Sequence, residues 1–163
     1  MSNNKHTDIL VIGSGPGGYA AAFRASDLGR EVTLVDKDPT LGGVCLNRGC
    51  IPSKTLLHIS KVLEEAESLK KMGVTFTKPT IDIDLVRDWK NKVVSQLSGG
   101  ISQMAKARKV NTIQAEATFL SDNEVQLKSE SSTEKITFDH CIIASGSSST
   151  TIPRIPFDNE NVL

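Results

Sequence analysis

The chain has no surplus of charge, because 19 Lys and Arg residues balance 19 Asp and Glu residues. Without a basic excess it offers no electrostatic footprint for nucleic acid, and without a block of like charge it has no interaction tail. No apolar run approaches the ~18 residues of a membrane span. The opening Met1-Ser2-Asn3-Asn4-Lys5-His6 is polar and lacks the apolar centre of a signal peptide. These absences point to a cytoplasmic protein that engages neither membrane nor nucleic acid. Cysteine is scarce as well: three in 163 residues cannot form the disulfide framework of a small secreted domain. In such a chain a close pair of cysteines is metal-binding or catalytic. Metal is the weaker option, because no second cysteine pair or nearby histidine completes a four-ligand set. The length suits one domain with a real core.

The close pair lies in Gly42-Gly43-Val44-Cys45-Leu46-Asn47-Arg48-Gly49-Cys50-Ile51-Pro52-Ser53-Lys54. In a regular α-helix, residues five apart have Cα atoms roughly 8–9 Å apart. A disulfide needs about 4.4–6.8 Å. Cys45 and Cys50 can therefore bridge only where the backbone leaves the helix. Gly49 permits such a departure, and Pro52 suits the first turn of a helix that follows. The pattern fits a dithiol at the mouth of a helix, whose positive dipole end favours the reactive thiolate.

About thirty residues earlier stands Gly13-Ser14-Gly15-Pro16-Gly17-Gly18, directly after the apolar run Ile9-Leu10-Val11-Ile12. Tyr19-Ala20-Ala21-Ala22-Phe23 continues it as a small-residue helix. Strand, glycine turn and helix are the context that G-x-G-x-x-G requires for a dinucleotide. Gly13 makes the turn, Gly15 lets the backbone approach a pyrophosphate, and Gly18 lets helix and strand pack closely. The next strand, Glu31–Val35, ends at Asp36, an acid placed to accept hydrogen bonds from ribose hydroxyls. This motif does not distinguish FAD from NAD.

Residues 37–51 read as a loop, and a helical pattern runs from about Pro52 to Met72 with Leu56, Ile59, Leu63 and Ala66 on one face. Gly73 is a helix stop, and Val74-Thr75-Phe76 reads as a short extended piece. A second long helix covers about Asp82 to Lys106, with Leu85, Trp89, Val93, Leu97 and Ile101 at helical spacing and Gly99-Gly100 as an interruption. The remainder is β-rich: Val110–Leu120, Glu124–Lys128 and Ile136–Ser145. The expected fold is α/β: a doubly wound, Rossmann-like domain with an appended antiparallel β-meander around 110–137 and two long antiparallel helices. Residues 1–147 form the nucleotide-binding domain, and the Ser-, Thr- and Pro-containing 148–163 read as a linker.

Three segments together resemble the pyridine nucleotide–disulfide oxidoreductases: the glycine turn, the dithiol loop, and Cys141-Ile142-Ile143-Ala144-Ser145-Gly146-Ser147. The last is similar to that family's second flavin motif, and the resemblance covers about Thr7 to Pro156. Ile51-Pro52-Ser53-Lys54, Leu56-Leu57-His58 and Trp89-Lys90 are similar to the family's lipoamide branch. The resemblance implies FAD as cofactor and NAD as electron acceptor in the complete enzyme. It implies that Cys45 and Cys50 form a redox-active disulfide, Cys50 exchanging electrons with the flavin and Cys45 with the dithiol substrate. Lys54 is then placed near the flavin's reactive nitrogen, stabilising charge there. Gly13, Gly15 and Gly18 hold the pyrophosphate, Asp36 the adenosine ribose, and Ala117 the adenine end. Gly43, Val44 and Cys45 line the flavin, Ser145 and Gly146 close the pocket, and Gly17, Lys37 and Gly42 complete the binding set. The implied partner is the lipoyl-bearing acyltransferase of a 2-oxo acid dehydrogenase complex, and the complete enzyme is a homodimer.

Two departures stand out. The family continues its second flavin motif with Arg-Pro, where this chain has Ser148-Ser149. The family's chain is also much longer, and its nicotinamide domain, later flavin motif and His–Glu acid–base pair have no counterpart in these residues, so the 163-residue chain alone is expected to be inactive. His6 in the tail, His58 on a helix and His140 at a strand start are expected to be structural or solvated, and Cys141 an inert core thiol. The alternatives are a flavin-dependent reductase of mercuric ion or a small thiol, or a non-catalytic flavin-binding fragment.

Overall fold

The computed structural model describes residues 5–148, 150, 152 and 153. The first apolar run forms strand β1 (Lys5–Ile12), followed by helix α1 (Pro16–Asp27) and strand β2 (Val32–Asp36). A short helix α2 (Gly43–Asn47) precedes α3 (Cys50–Ser68), which runs into a 3-10 turn at Leu69–Met72. Helix α4 (Ile83–Ala107) leads to strands β3 (Asn111–Gln114), β4 (Glu116–Phe119), β5 (Glu124–Lys128) and β6 (Thr133–Ile143).

The six strands form one sheet in the order β3-β2-β1-β6-β5-β4. The first four are mutually parallel. β5 runs antiparallel to β4 and to the start of β6. The chain steps outward from β1 through β2 to β3, then returns to lay β6 on the other side of β1. Strand order therefore reverses between β1 and β6, whose final residues Ile12 and Ile143 lie in register. The carboxyl ends of strands at such a reversal form the crevice where open α/β sheets bind ligands.

Alternation along the strands splits the core between the two sheet faces. Val11, Val32 and Leu34 join Ala22, Phe23 and Ala25 of α1, Leu46 of α2, and Ile101 and Ala105 of α4. On the opposite face Leu10 and Val35 pack with Ala115, Val125, Leu127, Ile136 and Phe138, so the β-meander covers that side. Leu10 and Val11 have no exposed surface. Removing a side chain of that size from water contributes roughly 1.5–3 kcal/mol.

The α/β class is as the sequence indicates, and several boundaries differ. The stretch expected as one strand over 110–120 breaks at Ala115, whose N–H donates to the Asp36 carbonyl at 2.8 Å. β3 consequently pairs with β2 as the parallel edge, and the meander consists of β4, β5 and the first half of β6. The expected loop 37–51 contains α2, and α3 begins at Cys50 instead of near Pro52. Val74-Thr75-Phe76 is not a strand, and Val74 and Phe76 are exposed. α4 passes through Gly99-Gly100 unbroken. Buried Ser98, Ile101 and Ala105 anchor it there, and Asp82 caps its start by accepting the Asp84 and Leu85 N–H groups. Gly73, with φ +89°, ends the 3-10 turn as its position suggests. His6 belongs to β1 and not to a tail, and His140 lies within β6 opposite Ile9 and not at its start. Of the expected 148–163 linker, residues 149, 151 and 154–163 lie outside the described residues. No helix among the described residues is long and apolar enough to cross a membrane.

Candidate functional site

The glycine turn joins β1 to α1 at the strand-order reversal, and its glycines serve different ends. Gly13 adopts φ +100° and donates its N–H to Val35 O at 2.7 Å. A Cβ on Gly13 would lie 2.2 Å from the Ala144 carbonyl oxygen, and one on Gly18 would lie 1.7 Å from the Gly13 oxygen. Neither position tolerates a side chain. Gly15 and Gly17 instead face open space, with nothing within 4 Å of such an atom. Gly15 caps the twelve-residue α1 without a side-chain bond, and the first turn holds no acidic residue. The positive end of α1 is thus uncompensated beside a surface free of side chains, which suits an anionic pyrophosphate.

Asp36 sits where β2 ends. Its Oδ2 accepts the Ser14 N–H and the Ser14 hydroxyl, both at 2.6 Å, and its Oδ1 accepts the Asp38 N–H at 2.9 Å. Partial burial raises its pKa, but the Ser14 hydroxyl, the Asp38 and Ser14 N–H groups and the Lys37 charge outweigh that and hold it below the ordinary 3.8. Gly13, Asp36, Lys37, Ala117 and Ser145 line one cavity of about 200 Å³, together with Ile12, Val35, Ala115 and Glu116. Gly13, expected at the pyrophosphate, Asp36 at the ribose, Ala117 at the adenine end, and Lys37 and Ser145 as further members of the binding set thus border one space. Gly146 follows with φ +72° and open surroundings.

The cysteine loop is locked onto the glycine turn. Gly42 (φ +116°) donates its N–H to Ser14 O at 2.9 Å, and Gly43 (φ +62°) lies so close to Gly15 that a Cβ would approach the Gly15 Cα to 2.6 Å. Asn47 donates to the carbonyls of Thr40 and Leu41, both at 3.3 Å. Arg48, between the cysteines, makes a charge-assisted bond to Asp38. α2 ends at Asn47, Gly49 takes φ −124° and ψ −96°, and α3 restarts at Cys50. That interruption brings the Cα atoms of Cys45 and Cys50 to 4.8 Å, and their sulfurs are bonded to each other. Cys50 is the first residue of the 19-residue α3, and Lys54 stands one turn later on the same side. A thiolate released at Cys50 would face the favourable end of that helix.

Among the remaining candidates, Val44 is 57% exposed on α2. Cys141 is a free, half-buried thiol on β6, and burial raises its pKa. His58 is exposed on α3. His6 contacts Thr137 Oγ1 at 2.9 Å and Asp139 at 3.5 Å, at the end of the sheet opposite the glycine turn. With Asp8 these form the one grouping of potential metal ligands among the described residues, and the Asp8 carboxylate there accepts the Glu31 N–H. Sequence reasoning missed Ser14, Asn47 and the Arg48–Asp38 pair. Ser14 stands at a variable position of the glycine motif, and its partner is 22 residues away, so no local pattern announces it.

The pyridine nucleotide-disulphide oxidoreductase family model matches residues 7–163. The chain is similar to a dihydrolipoyl dehydrogenase of Vibrio cholerae, with 46% identity over 162 residues, covering 99% of this chain and 34% of that one. A dihydrolipoyl dehydrogenase of Buchnera aphidicola (subspecies Acyrthosiphon pisum) is 48% identical over 159 residues, covering 98% of this chain and 34% of its own. One from Bacillus subtilis is 46% identical over 157 residues, 96% of this chain and 33% of its own. The chain spans about a third of the length of the curated relatives it matches.

Proposed function

The chain belongs to the pyridine nucleotide-disulphide oxidoreductase family, and we propose that it is the FAD-binding, redox-disulfide portion of a dihydrolipoyl dehydrogenase. The reaction is oxidation of a protein-bound dihydrolipoyl dithiol, with NAD as the final acceptor. The dithiol belongs to the acyltransferase of a 2-oxo acid dehydrogenase complex, and the complete enzyme works as a cytoplasmic homodimer. In this proposal residues 1–147 form the FAD-binding segment.

The observation that carries the proposal is the union of two features at the carboxyl ends of the central strands. The cavity of about 200 Å³ lined by Gly13, Asp36, Lys37, Ala117 and Ser145 is where the adenosine half of a dinucleotide would sit. The loop bearing the Cys45–Cys50 disulfide is bonded directly to the same glycine turn. Gly13, Gly15, Gly17 and Gly18 would hold the pyrophosphate, Asp36 and Lys37 the ribose, and Gly42, Gly43, Val44, Cys45, Lys54 and Gly146 the flavin half. FAD, when bound, supplies the acceptor that passes two electrons on to NAD.

The protein's own chemistry is thiol–disulfide exchange. A substrate thiolate attacks Cys45 Sγ, a new S–S bond forms, and Cys50 leaves as thiolate at the start of α3. The second substrate thiol then displaces Cys45, closing the substrate disulfide and leaving both cysteines reduced. Two electrons have moved from the dithiol to the cysteine pair, and the substrate's two thiol protons have gone to solvent or to Cys45. The Lys54 ammonium adds positive charge on the Cys50 side of α3.

The test uses full-length protein loaded with FAD and supplied with NAD. Dihydrolipoamide should be oxidised far faster than reduced glutathione, and mercuric ion should not be turned over with reduced pyridine nucleotide. A preference for glutathione or mercuric ion would replace this assignment with another disulfide reductase. Failure to retain any flavin would end it.

A further inference from the structure

Asp36 has more donors on its carboxylate than a group waiting for a ribose would need. An ionised carboxylate offers about four acceptor positions, two on each oxygen. Ser14 fills both positions of Oδ2 with its N–H and its hydroxyl, and Asp38 N–H fills one of Oδ1. One acceptor position remains, on Oδ1. Ser14 has no exposed surface, so no solvent competes for its hydroxyl, whereas Asp36 itself borders the cavity.

We propose that Ser14 is a positioning residue for the cofactor's ribose: its hydroxyl fixes the Asp36 carboxylate so that Oδ1 alone is presented, and Asp36 takes one ribose hydroxyl and not two. This rests on the FAD assignment above and deepens it. Without the hydroxyl, the Ser14 N–H still holds Oδ2 and the Asp38 N–H still holds Oδ1, but one of the three bonds that fix the carboxylate plane is gone and a position on Oδ2 opens, so part of the ordering must be supplied at each binding event. The charged form of Asp36 also loses its strongest stabilising partner. The other charges around it do not change: Lys37 and Glu116 border the smaller cavity, and Asp38 and Lys106 border the larger one on the other side of Asp36. Asp38 is neutralised by Arg48.

The experiment measures FAD affinity of the full-length apoprotein by flavin fluorescence between pH 2 and 8. Wild type must bind FAD; if it does not, the functional assignment fails, independently of Ser14. Given that it binds, Ser14→Ala should weaken affinity about tenfold at neutral pH, as for loss of one bond to a charged group. Its acid-side loss of affinity should begin at higher pH than in wild type. In an Asp36→Ala background, Ser14→Ala should change affinity less than twofold and should move no pH midpoint. An equal loss in both backgrounds, or an unmoved pH profile, would show that Ser14 only fills space and would overturn the proposal. A second measurement needs no variant. Of two FAD analogues lacking the adenosine 2′- or the 3′-hydroxyl, one should bind the wild-type protein about tenfold more weakly and the other within twofold of FAD. Equal losses for both would mean a two-pronged grip by Asp36 and would likewise overturn it.

Discussion

The glycine turn with its cysteine loop and the α3–α4 helix pair follow one another in the chain, yet they are built on opposite terms. In the turn and loop, atoms are placed by contacts that admit no substitute. Gly13 and Gly18 leave no room for a methyl group, Gly43 sits over Gly15, and Ser14, Asp36, Asn47 and Arg48 are each bound to a stated partner. In the helix pair, α3 has no buried residue at all. Leu57 is 66% exposed, and Leu85 and Trp89 on α4 are also largely open. Apolar side chains at helical spacing there amount to a face without a partner within the described residues. Polar and steric contacts in the first region fix individual atoms, whereas the apolar residues of the second stand in water.

The sharpest test of that contrast sets one residue from each region against the other. In the full-length enzyme Cys50→Ser should abolish dihydrolipoamide turnover, because no disulfide remains to accept electrons. Leu57→Ser, two turns along the same helix, should change kcat less than threefold. If both variants were equally inactive, α3 would be part of the catalytic machinery and not only its carrier. The cysteines themselves can be counted: alkylation should find one reactive thiol before mild reduction and three after it, with Cys141 the slow one because burial raises its pKa. Cys141 in the bridge would refute the pairing.

Next in size is Gly18→Ala. The added methyl would fall on the Gly13 carbonyl, so either the turn opens or α1 shifts, at a cost of about 3 kcal/mol or more. Chemical denaturation should register that loss together with loss of flavin. Gly17→Ala, one residue away with open space around it, should retain the stability and lose only cofactor affinity. Equal destabilisation by both would mean that the open side of the turn is packed in the complete protein.

How much of this was legible beforehand follows the same division. The Ile9–Ile12 run, the glycine spacing and Asp36 lie in one continuous stretch, so β1, the turn, α1 and β2 could be read locally. The two cysteines and Gly49 implied a break in the helix, and the break is there. α2 is illegible in sequence because five residues show no periodicity, and Asn47 and Arg48 tie it to residues six to ten positions earlier. In sequence β3 reads as part of the meander because its strand character is local, whereas its parallel partner β2 lies about 78 residues away. Asp36 was legible as an acid at a strand end, but the donors already on it were not.

Asp36 also gives the site a pH dependence of known sign. Its folded pKa is depressed, so the group adds stability that is fully present above its ordinary value of 3.8 and is lost as pH falls through the lower folded value. Asp36→Asn should therefore cost about 1 kcal/mol at neutral pH, from weaker bonds to Ser14 and Asp38. It should also flatten the fall of stability below about pH 4. Urea midpoints of the two proteins should converge on acidification. Parallel curves down to pH 2 would mean that the carboxylate is not held as described.

The smallest effect returns to the helix pair. Gly99 and Gly100 lie inside α4, at helical φ and ψ, with nothing within 4 Å of the position a methyl group would take. Gly loses more backbone entropy on folding than Ala, and in a helix interior the difference is about 0.5–1 kcal/mol. Nothing at either position repays that cost within the described residues. Gly99→Ala and Gly100→Ala should therefore each raise stability by about 0.5–1 kcal/mol, read as a shift in urea midpoint at constant slope. The sign is opposite to that of Gly18→Ala for the same chemical change. If either substitution lowered activity or assembly of the full-length protein while stabilising the helix, the open space there would be the seat of a closely approaching partner segment. A destabilising result would show instead that α4 is not a continuous helix at Gly99-Gly100.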